Sequence, residues 1–336
     1  MSAVQAVVDA GGAAALKVME RVELRMSELA GGHGPLLERY AGDTIAAGGK
    51  RLRPLLVCLS SGVPVPESDG LVRAAVAVEL VHAATLVHDD VLDGSALRRG
   101  RPTVVASGGR LAATATGDLL FSRAFAELAA GGSGEGGGER AVEAVRILAR
   151  ACSELATGEL MQRSDAWDAT VPVERYLERC RLKTAVLFRA ACQLGALEGA
   201  AGLRTGLGSA IESLGTFGEQ IGVAFQILDD VLDVAGPPER TGKPRGADLL
   251  DGTVTLPLIL ARQADSTLAA AELRSITTAD RAAEVCDRIA ATGALESAKV
   301  RALELVAEAK ALLPELPERQ RAALDLVADG VVDRYA

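Results

Sequence analysis

Two long stretches of this chain are apolar on almost every side when they are wound into a helix. Residues 70–93 read GLVRAAVAVELVHAATLVHDDVLD, and residues 208–235 read GSAIESLGTFGEQIGVAFQILDDVLDVA. A helix that is apolar all round has to be buried by other elements, so both stretches belong in the centre of a helical bundle. No segment alternates apolar and polar residues for long enough to predict a strand. The expected fold class is therefore all-α.

Further helical patterns fill most of the remaining chain. Pro64 and Pro66 end a short helix, and Pro237 and Pro238 end the second buried helix. The glycine-rich run 131–138 predicts a flexible surface loop. No shift in composition marks a boundary, so we expect a single domain over residues 1–336. The remaining predicted helices are 112–130, 139–162, 173–197, 254–264, 281–291 and 295–313.

Charge and cysteine content restrict the classes of function. A formal net charge of −9 argues against general nucleic-acid binding. The chain begins without the basic start and apolar run of a signal peptide, and no stretch approaches about 18 uninterrupted apolar residues. We therefore expect a cytoplasmic protein without a transmembrane segment. Five scattered cysteines without a C-x-x-C pair predict buried thiols in a reducing compartment; they are Cys58, Cys152, Cys180, Cys192 and Cys286.

The first buried stretch ends in three carboxylates, Asp89, Asp90 and Asp93. At about 100° per residue, Asp89 and Asp93 share one helix face and Asp90 flanks them. The C-terminal end of a helix is partially negative, so clustered carboxylates are unfavourable there without a cation. Mg²⁺ suits such a site because it binds one or two carboxylates together with substrate phosphates. Taken alone, the cluster could also be a solvated helix end.

The second buried stretch ends in the same D-D-x-x-D spacing, at Asp229, Asp230 and Asp233. Two apolar helices with identical carboxylate endings are improbable by chance, so a metal site becomes the favoured interpretation. We expect the two clusters to face each other and to bind a diphosphate through several metal ions.

Basic residues concentrate at four places in this acidic protein. Arginine binds phosphate through two parallel hydrogen bonds, and lysine binds it as a point charge. Each place alone could be a solvated charge, but together they supply donors for two diphosphates. The ammonium of Lys183 lies in an apolar helix pattern and therefore needs a partner. The four places are GGKRLRP at 48–54, RRGRPT at 98–103, Lys183-Thr184, and Lys243 within TGKP.

These motifs, in this order, resemble the trans-isoprenyl (polyprenyl) diphosphate synthase family. The resemblance runs from about Gly48 to Leu260. It implies an all-α isoprenoid-synthase-type fold, one large bundle around a central cavity, and a homodimer. The motif-bearing core would cover about residues 45–262. The matching segments are GGKRLRP, LVHDDVLDGSALRRGRPT at 86–103, GDLLFSRAFAEL at 117–128, KTAVLF at 183–188, FQILDDVLD at 225–233 and GKPRGADLLDGTVTLPL at 242–258.

The resemblance also implies which residues bind the substrates and the cofactor Mg²⁺, with three ions per active site when diphosphate is bound. The catalytic groups would be Asp89, Asp90, Asp93, Asp229, Asp230 and Lys183. His82 lies seven residues before Asp89, on the same helix face; His88 receives no role. Isopentenyl diphosphate would contact Lys50, Arg53, His82 and Arg99, with Arg51 adding positive field. The allylic diphosphate would contact Arg98, Lys183, Thr184, Gln226 and Lys243. Magnesium would bind Asp89, Asp93 and Asp229, with Asp90, Asp230 and Asp233 in support.

The implied reaction is ionisation, condensation and elimination. Charge on the departing pyrophosphate is stabilised by the metal and the cations, the isopentenyl double bond attacks the allylic cation, and a proton is lost. The departing pyrophosphate is the expected base, so no side chain is assigned that role. Apolar walls would keep water away from the cation.

Product length is expected to depend on the residues below the first cluster. Ala84 and Thr85 lie there, with Val81 and Ala77 further down the helix, and each turn opens about 5.4 Å. Short-chain members of the family tend to carry a bulky aromatic residue here, whereas HAATLVHDDVLD at 82–93 resembles the medium- and long-chain members that make quinone side chains. The resemblance therefore implies a product of C30 or longer, with geranylgeranyl diphosphate as the alternative. Phe121, or Phe125 on the same helix, could overturn this prediction by blocking the tunnel.

Other classes of protein fit the sequence less well. A class I terpene cyclase would lack the second D-D-x-x-D and GGKRLRP, and would contain more aromatics. A non-catalytic subunit of a heteromeric synthase would have lost aspartates or basic motifs, and none is missing. A di-iron carboxylate protein needs Glu-x-x-His pairs, which His33, His82 and His88 do not form.

Overall fold

The computed structural model describes residues 3–32, 34–49, 51–98, 100–131, 137–199, 206–236 and 245–333. Within these ranges nearly all regular structure is helical, which confirms the all-α prediction. The only described strands form a two-residue antiparallel pair, β1 (Leu97–Arg98) and β2 (Arg101–Pro102).

The helices are numbered in chain order. They are α1 (Ala3–Ala30), α2 (Pro35–Ala46), α3 (Leu52–Ser60), α4 (Asp69–Asp93), α5 (Val104–Ala129), α6 (Gly137–Ser164), α7 (Val173–Cys180), α8 (Val186–Glu198), α9 (Leu207–Ala235), α10 (Ala247–Leu250), α11 (Leu256–Ala264), α12 (Ser266–Ala270), α13 (Ala279–Ala291), α14 (Ala294–Leu312) and α15 (Glu318–Asp333). A π-helical turn, Arg181–Ala185, joins α7 to α8, and a 3₁₀ turn, Leu273–Ser275, follows α12.

The chain groups into two compact units. Unit 1 contains Met1–Cys152, Leu187–Gly218 and Leu312–Val327, and unit 2 contains Ser153–Val186, Glu219–Ala311 and Ala328–Ala336. In unit 1, α4 packs against α1, α2, α3 and α5. In unit 2, α11 packs against α7, α12 and α13, and α10 packs against α13. The single domain expected from the sequence stays a prediction.

Local chemistry fixes both ends of α4, the first predicted core helix. The Ser68 hydroxyl accepts a hydrogen bond from the Leu71 amide at 3.1 Å and caps the first turn. Gly94 ends the helix in the left-handed region, at φ 63°, where a residue without a Cβ is favoured. By length and composition α4 could cross a membrane, but 72% of its most apolar 18-residue window is buried inside the protein. It is therefore best described as a core helix.

Helix α5 begins earlier than the predicted residue 112 and bends near its start. Its first turn is capped by Thr103, and Gly109 breaks the helix at φ 78° and ψ 175°. A Cβ on the preceding Gly108 would lie 2.4 Å from the Tyr40 hydroxyl oxygen, so α2 and α5 can approach here only because the residue is glycine. The predicted helix 112–130 corresponds to the part of α5 after the break at Gly109, and the part before the break was not predicted.

Three other predicted boundaries need correction. The stretch predicted as one helix, 173–197, contains the π-helical turn Arg181–Ala185. The predicted loop 131–138 is too long, because Gly137 and Gly138 belong to α6. The carboxylate of Glu139 in the first turn of α6 is favourable at the positive end of the helix dipole. Helix α11 begins at Leu256 rather than 254, because Pro257 is favourable in a first helical turn.

The cysteines are unpaired thiols, as predicted. Cys58, Cys180, Cys192 and Cys286 are buried, and Cys152 is half-buried. Burial raises the pKa of Cys58 and of Cys192 to about 12, so these thiols stay protonated at neutral pH.

Candidate active site

The last turn of α4 presents its three carboxylates to different surroundings. Asp90 is buried, and its Oδ1 accepts hydrogen bonds from Arg98 Nε at 2.9 Å and Arg98 Nη2 at 2.7 Å. Asp89 is half-buried and Asp93 is exposed. The middle aspartate of the first cluster is therefore the least accessible of the three.

A short hairpin brings Arg98 back to the cluster. Strands β1 and β2 form it, and Thr103 closes it. The Thr103 hydroxyl donates to the Ser95 carbonyl at 2.6 Å and accepts from the Ala106 amide at 3.2 Å, so one side chain ties the hairpin to the start of α5. Arg98 of the predicted basic motif 98–103 is thus bonded to an aspartate of the first cluster. Arg99 lies outside the described residues.

A cavity of about 300 Å³ lies beside this turn within unit 1. It collects predicted substrate ligands from α4, the hairpin and the loop before α3. Arg101, which the sequence analysis did not select, also lines it. The residues that matter for its chemistry are Arg51, Glu79, His82, Asp90, Arg98 and Arg101.

The predicted basic loop 48–54 is only partly directed to this cavity. Arg51 lines it, but its guanidinium is hydrogen-bonded to Glu23 and Glu79. Arg53 does not line it; its guanidinium lies 4.7 Å from the centroid of the Phe188 ring. Burial lowers the pKa of Arg53 to about 10, and its Nε has no hydrogen-bond partner among the described residues. Lys50 lies outside the described residues, and the substrate role of this loop stays a prediction.

The second cluster, in unit 2, repeats the pattern of the first. Asp230 is buried, with the Tyr176 hydroxyl donating to its Oδ2 at 2.7 Å and Gln226 Nε2 donating to its Oδ1 at 2.7 Å. Asp229 is exposed and Asp233 is half-buried. In both clusters the middle aspartate is therefore buried and hydrogen-bonded, while the outer two are more accessible.

A chain of hydrogen bonds connects Asp230 to the π-helical turn. The Thr184 hydroxyl donates to Gln226 Oε1 at 2.8 Å, and the amide of Gln226 in turn donates to Asp230. Burial, and next the charge of Asp248, raise the pKa of Asp230 to about 8. Thr184 and Gln226, predicted from the sequence as diphosphate ligands, are thus brought together with the second cluster.

Lys183 lies on the same π-helical turn and has the partner that its apolar surroundings required. Its Nζ is 2.5 Å from Glu159 Oε2 of α6. A Cβ on Gly158 would lie 2.5 Å from the Lys183 backbone nitrogen, so α6 reaches the turn only through this glycine. π-Helical turns frequently occur at functional sites because they redirect side chains. Lys243 lies outside the described residues.

Two residues of the second cluster were missed by the sequence analysis. Tyr176 was hidden in an amphipathic helix pattern 54 positions from Asp230. Asp248 lies in GADLLDGT, and its backbone amide donates to Asp233 Oδ2 at 3.3 Å. An isolated Asp or Tyr carries no spacing signal, so only the folded chain relates these residues to the cluster.

Comparisons with known proteins agree with this geometry. A sequence profile of the polyprenyl synthetase family matches residues 34–292. The chain belongs to this family. Heptaprenyl diphosphate synthase component 2 of Geobacillus stearothermophilus is 40% identical over 87% of each chain. Geranylgeranyl diphosphate synthase of Methanosarcina mazei is 35% identical over 88% of each chain.

A solved polyprenyl synthase shares the fold. The Caulobacter crescentus enzyme, crystallised with calcium and isoprenyl diphosphate, gives a TM-score of 0.86 at 34% identity, covering 99% of this chain and 98% of that one. The chain described here is accordingly a prenyltransferase of the trans-prenyl diphosphate synthase kind.

The donor set of this synthase suits a metal that shares its coordination with a substrate. No described group of three or more His, Cys, Asp and Glu side chains could hold a metal ion alone. In each cluster the outer two carboxylates are more accessible to solvent than the buried third one. Mg²⁺ is commonly bound by one or two carboxylates plus phosphate oxygens and water. The residues therefore fit Mg²⁺ that binds together with a diphosphate.

Three of the residues predicted to set product length, Val81, Ala84 and Thr85, lie on α4 below Asp89, and Phe121 lies on α5. Ala84 and Val81 are fully buried, and the Thr85 hydroxyl donates to the His82 carbonyl at 2.8 Å. Phe121 is half-buried, and its ring centroid lies 5.7 Å from that of His88, next to the cluster. Because His88 is one helical turn above Ala84, the Phe121 ring lies beside the level of the cluster.

Proposed function

We propose that this synthase condenses isopentenyl diphosphate with an allylic diphosphate to make a trans-polyprenyl diphosphate of C30 or longer, in a Mg²⁺-dependent reaction. The observation that carries the proposal is the repeated arrangement of the two clusters. In each, the middle aspartate is buried and hydrogen-bonded, and the outer two aspartates at the same helix end are more accessible to solvent. A site that must bind metal and diphosphate twice has a reason to repeat this arrangement.

The side chains would divide the work as follows. Asp89, Asp93 and Asp229 would hold Mg²⁺, which when bound stabilises the negative charge that develops on the departing pyrophosphate. Asp90 orients Arg98, and Asp230 orients Gln226. Arg98, Lys183, Thr184, Gln226 and Lys243 would bind the allylic diphosphate.

Lys183 would exchange its partner on substrate binding. Its ammonium is held by Glu159 in the structure and lies one residue from Thr184. A diphosphate carries more charge than a single carboxylate, so it competes well for the ammonium. Glu159 would then keep the flexible lysine chain close to the position it needs.

The proposed second substrate site is the cavity of unit 1. His82 and Arg101 line it, with Arg98 on one wall. Isopentenyl diphosphate would place its diphosphate against these donors. Family resemblance adds Lys50, Arg53 and Arg99, of which Arg53 does not line the cavity. The presence of Arg98, Arg101 and His82 in a cavity next to the first cluster supports this assignment.

The proposed product length rests on the buried face of α4. Val81 and Ala84 are small or medium in size, and Phe121 lies beside His88 rather than one turn deeper. The similarity to a heptaprenyl synthase component supports a long product, and the similarity to a geranylgeranyl diphosphate synthase supports C20 as the alternative.

The assembly remains part of the proposal. We expect a cytoplasmic homodimer with no nucleic-acid partner. The Geobacillus relative is named a component, so a heteromeric assembly is the alternative, in which this chain would require a second subunit. The sequence retains the aspartates of both clusters and the basic motifs, which favours a catalytic role in either assembly.

One incubation tests the function and both alternatives. Purified protein would be mixed with Mg²⁺, isopentenyl diphosphate and farnesyl diphosphate, and the prenyl chains would be sized by chromatography. Chains of C30 or longer support the proposal. Products that stop at C20 support the geranylgeranyl synthase, and no consumption with any allylic primer supports a component that is inactive alone.

A further inference from the structure

Arg51 has an unusual environment for a residue predicted to bind substrate. Its backbone is left-handed, at φ 49° and ψ 35°, although it is not glycine. This conformation is unfavourable for a side chain with a Cβ and persists only where the surroundings hold it. Arg51 is also the residue from which α3 begins, so its position determines where Arg53 and Pro54 are placed.

The side chain of Arg51 binds three other elements of unit 1. Nε donates to Glu23 Oε1 of α1 at 2.5 Å, and Nη2 donates to Glu23 Oε2 at 3.0 Å. Nη1 donates to Glu79 Oε1 of α4 at 2.9 Å, and Nη2 donates to the Ile45 carbonyl of α2 at 3.0 Å. The guanidinium has five N–H donors, and four of them are occupied by these bonds.

Charge also argues against direct phosphate binding by Arg51. Two carboxylates surround one guanidinium, so the group as a whole is negative at neutral pH. Glu79 is buried, with 6% of its side chain exposed, and would lose its partner if Arg51 turned towards a diphosphate. An unpaired buried carboxylate is strongly unfavourable. Arg51 therefore has a structural reason to stay where it is.

The position of Arg51 explains why such a group should matter to the site. Gly48 and Arg51 line both the cavity of about 300 Å³ and a second one of about 500 Å³. Glu23 lies on the larger cavity, and Glu79 lies with His82 on the smaller one. The Arg51 side chain thus forms part of the wall between the two cavities.

We infer that Arg51, Glu79 and Glu23 form a clamp that positions the loop 48–54 for isopentenyl diphosphate, and that Arg51 is a positioning residue rather than a ligand. This inference rests on the proposed function. It assigns Glu79 and Glu23 a role, although neither was selected from the sequence. The sequence analysis expected Arg51 to add positive field for the substrate, whereas this inference gives Arg51 the role of holding the loop in place.

The test compares variants at the two ends of the clamp. In the full-length protein, Arg51→Gln and Glu79→Gln should each raise the KM for isopentenyl diphosphate by about tenfold or more, because small misplacements of binding groups carry large penalties. The KM for the allylic diphosphate should change less than about twofold. The double variant should be no worse than the worse single variant, because the two residues act as one unit.

Glu79→Gln separates the clamp from direct binding. If Arg51 is a substrate ligand, removing a competing carboxylate frees it, and the KM for isopentenyl diphosphate should fall or stay constant. That result would overturn the inference, and so would an equal rise in both KM values. Glu23→Gln provides a milder variant, because its carboxylate is 47% exposed, and a smaller rise in the same direction is expected.

A second arginine–glutamate pair in unit 1 is the matched control. Arg25 of α1 donates to the buried Glu127 of α5, with Nη2 to Oε1 at 2.7 Å and Nε to Oε2 at 3.1 Å. Neither residue lines the cavities named above. Arg25→Gln should lower Tm and leave both KM values unchanged. If Arg25→Gln shifts the KM for isopentenyl diphosphate alone, the effect is not specific to the clamp, and the inference is overturned.

Calorimetric binding of isopentenyl diphosphate alone keeps the two proposals distinguishable. If the wild-type protein binds isopentenyl diphosphate but shows no turnover in the incubation with both substrates, the proposed function is contradicted. The clamp is then still tested by whether Arg51→Gln and Glu79→Gln bind isopentenyl diphosphate more weakly. Wild-type affinity in both variants would overturn the clamp even if the enzyme is active. An absence of binding by the wild-type protein would overturn both proposals.

Discussion

At the scale of single residues, burial assigns different tasks to aspartates that look identical in the sequence. D-D-x-x-D spacing puts the first and third aspartates on one helix face with the second beside them, and in the structure Asp90 and Asp230 are buried and hydrogen-bonded while their neighbours are more accessible. The distinction comes from Arg98 in the first cluster and from Tyr176 and Gln226 in the second. Spacing alone indicates a metal site, and burial in the folded chain shows which carboxylates are most accessible.

Ala84 is the residue at which the product-length proposal can be tested. Ala84→Phe should shorten the product by one or more isoprene units, because a ring would fill the buried face of α4 below Asp89. Chain length would be measured by chromatography after exhaustive reaction. Ala84→Ser, which adds little volume, should leave the product unchanged. An unaltered product in Ala84→Phe would show that the tunnel does not pass this position.

At the scale of elements, close contacts between helices depend on particular glycines. A Cβ on Gly117 of α5 would lie 2.2 Å from His88 Nε2 of α4, directly before Asp89. The imidazole also lies against Phe121 and 3.4 Å from the Thr114 carbonyl. The last turn of α4 is thus packed onto α5 through His88, a residue that the sequence analysis left without a role.

Gly117→Ala should therefore destabilise the protein although alanine favours helices. We expect the free energy of unfolding to fall by about 1–3 kcal/mol, the usual range for overpacking, as measured by denaturant titration. His88→Ala should remove the clash, so the double variant should be more stable than Gly117→Ala alone. A single variant as stable as the wild type would contradict the close packing of α4 on α5.

Helix α12 gives a prediction for acid stability. Asp265 caps it by accepting from the Thr267 and Leu268 amides, and it also pairs with Arg288 of α13. The hydrogen bond with Arg288 and those with the amides outweigh desolvation and lower the pKa of Asp265 to about 2. A depressed pKa stabilises the fold above the unfolded value of about 3.9, and this contribution is lost as pH falls through the folded value.

The measurement is Tm between pH 5 and pH 2. Asp265→Asn should lower Tm at pH 5, and the difference from the wild type should shrink as pH approaches 2. A difference that stays constant over this range would show that the Asp265 charge does not contribute.

The sequence predicted the long elements well and the short ones poorly, for a physical reason. Helices α4 and α9 are apolar on many faces, so their bounds differ from the predicted ones by a single residue. The π-helical turn at Lys183 packs against Gly158 of α6, and the start of α5 packs against Tyr40 of α2; both neighbours come from elsewhere in the chain, so a local pattern does not show them. The candidate site follows the same rule: spacing found the aspartates, and tertiary contacts supplied Glu79, Tyr176 and Asp248.

At the scale of the whole molecule, exposed apolar side chains bear on the expected homodimer. Leu111 of α5 is 85% exposed and Val142 of α6 is 69% exposed, both in unit 1. A contiguous exposed apolar surface is typical of an interface between subunits, and these two side chains are our candidates for part of such a surface. Light scattering should give twice the chain mass, and Leu111→Glu combined with Val142→Glu should give a folded monomer. A monomeric wild-type protein would contradict the homodimer.

The central claim is that both aspartate clusters serve one Mg²⁺-dependent transfer. The most direct measurement is the rate of isopentenyl diphosphate incorporation against Mg²⁺ concentration for the wild type, Asp89→Asn and Asp229→Asn. We predict no turnover in a chelator, saturable activation in the wild type, and a rate at least about 100-fold lower in each variant at saturating Mg²⁺, because each loses stabilisation of the departing pyrophosphate. Turnover in the chelator, or a wild-type rate in either variant, would contradict the account.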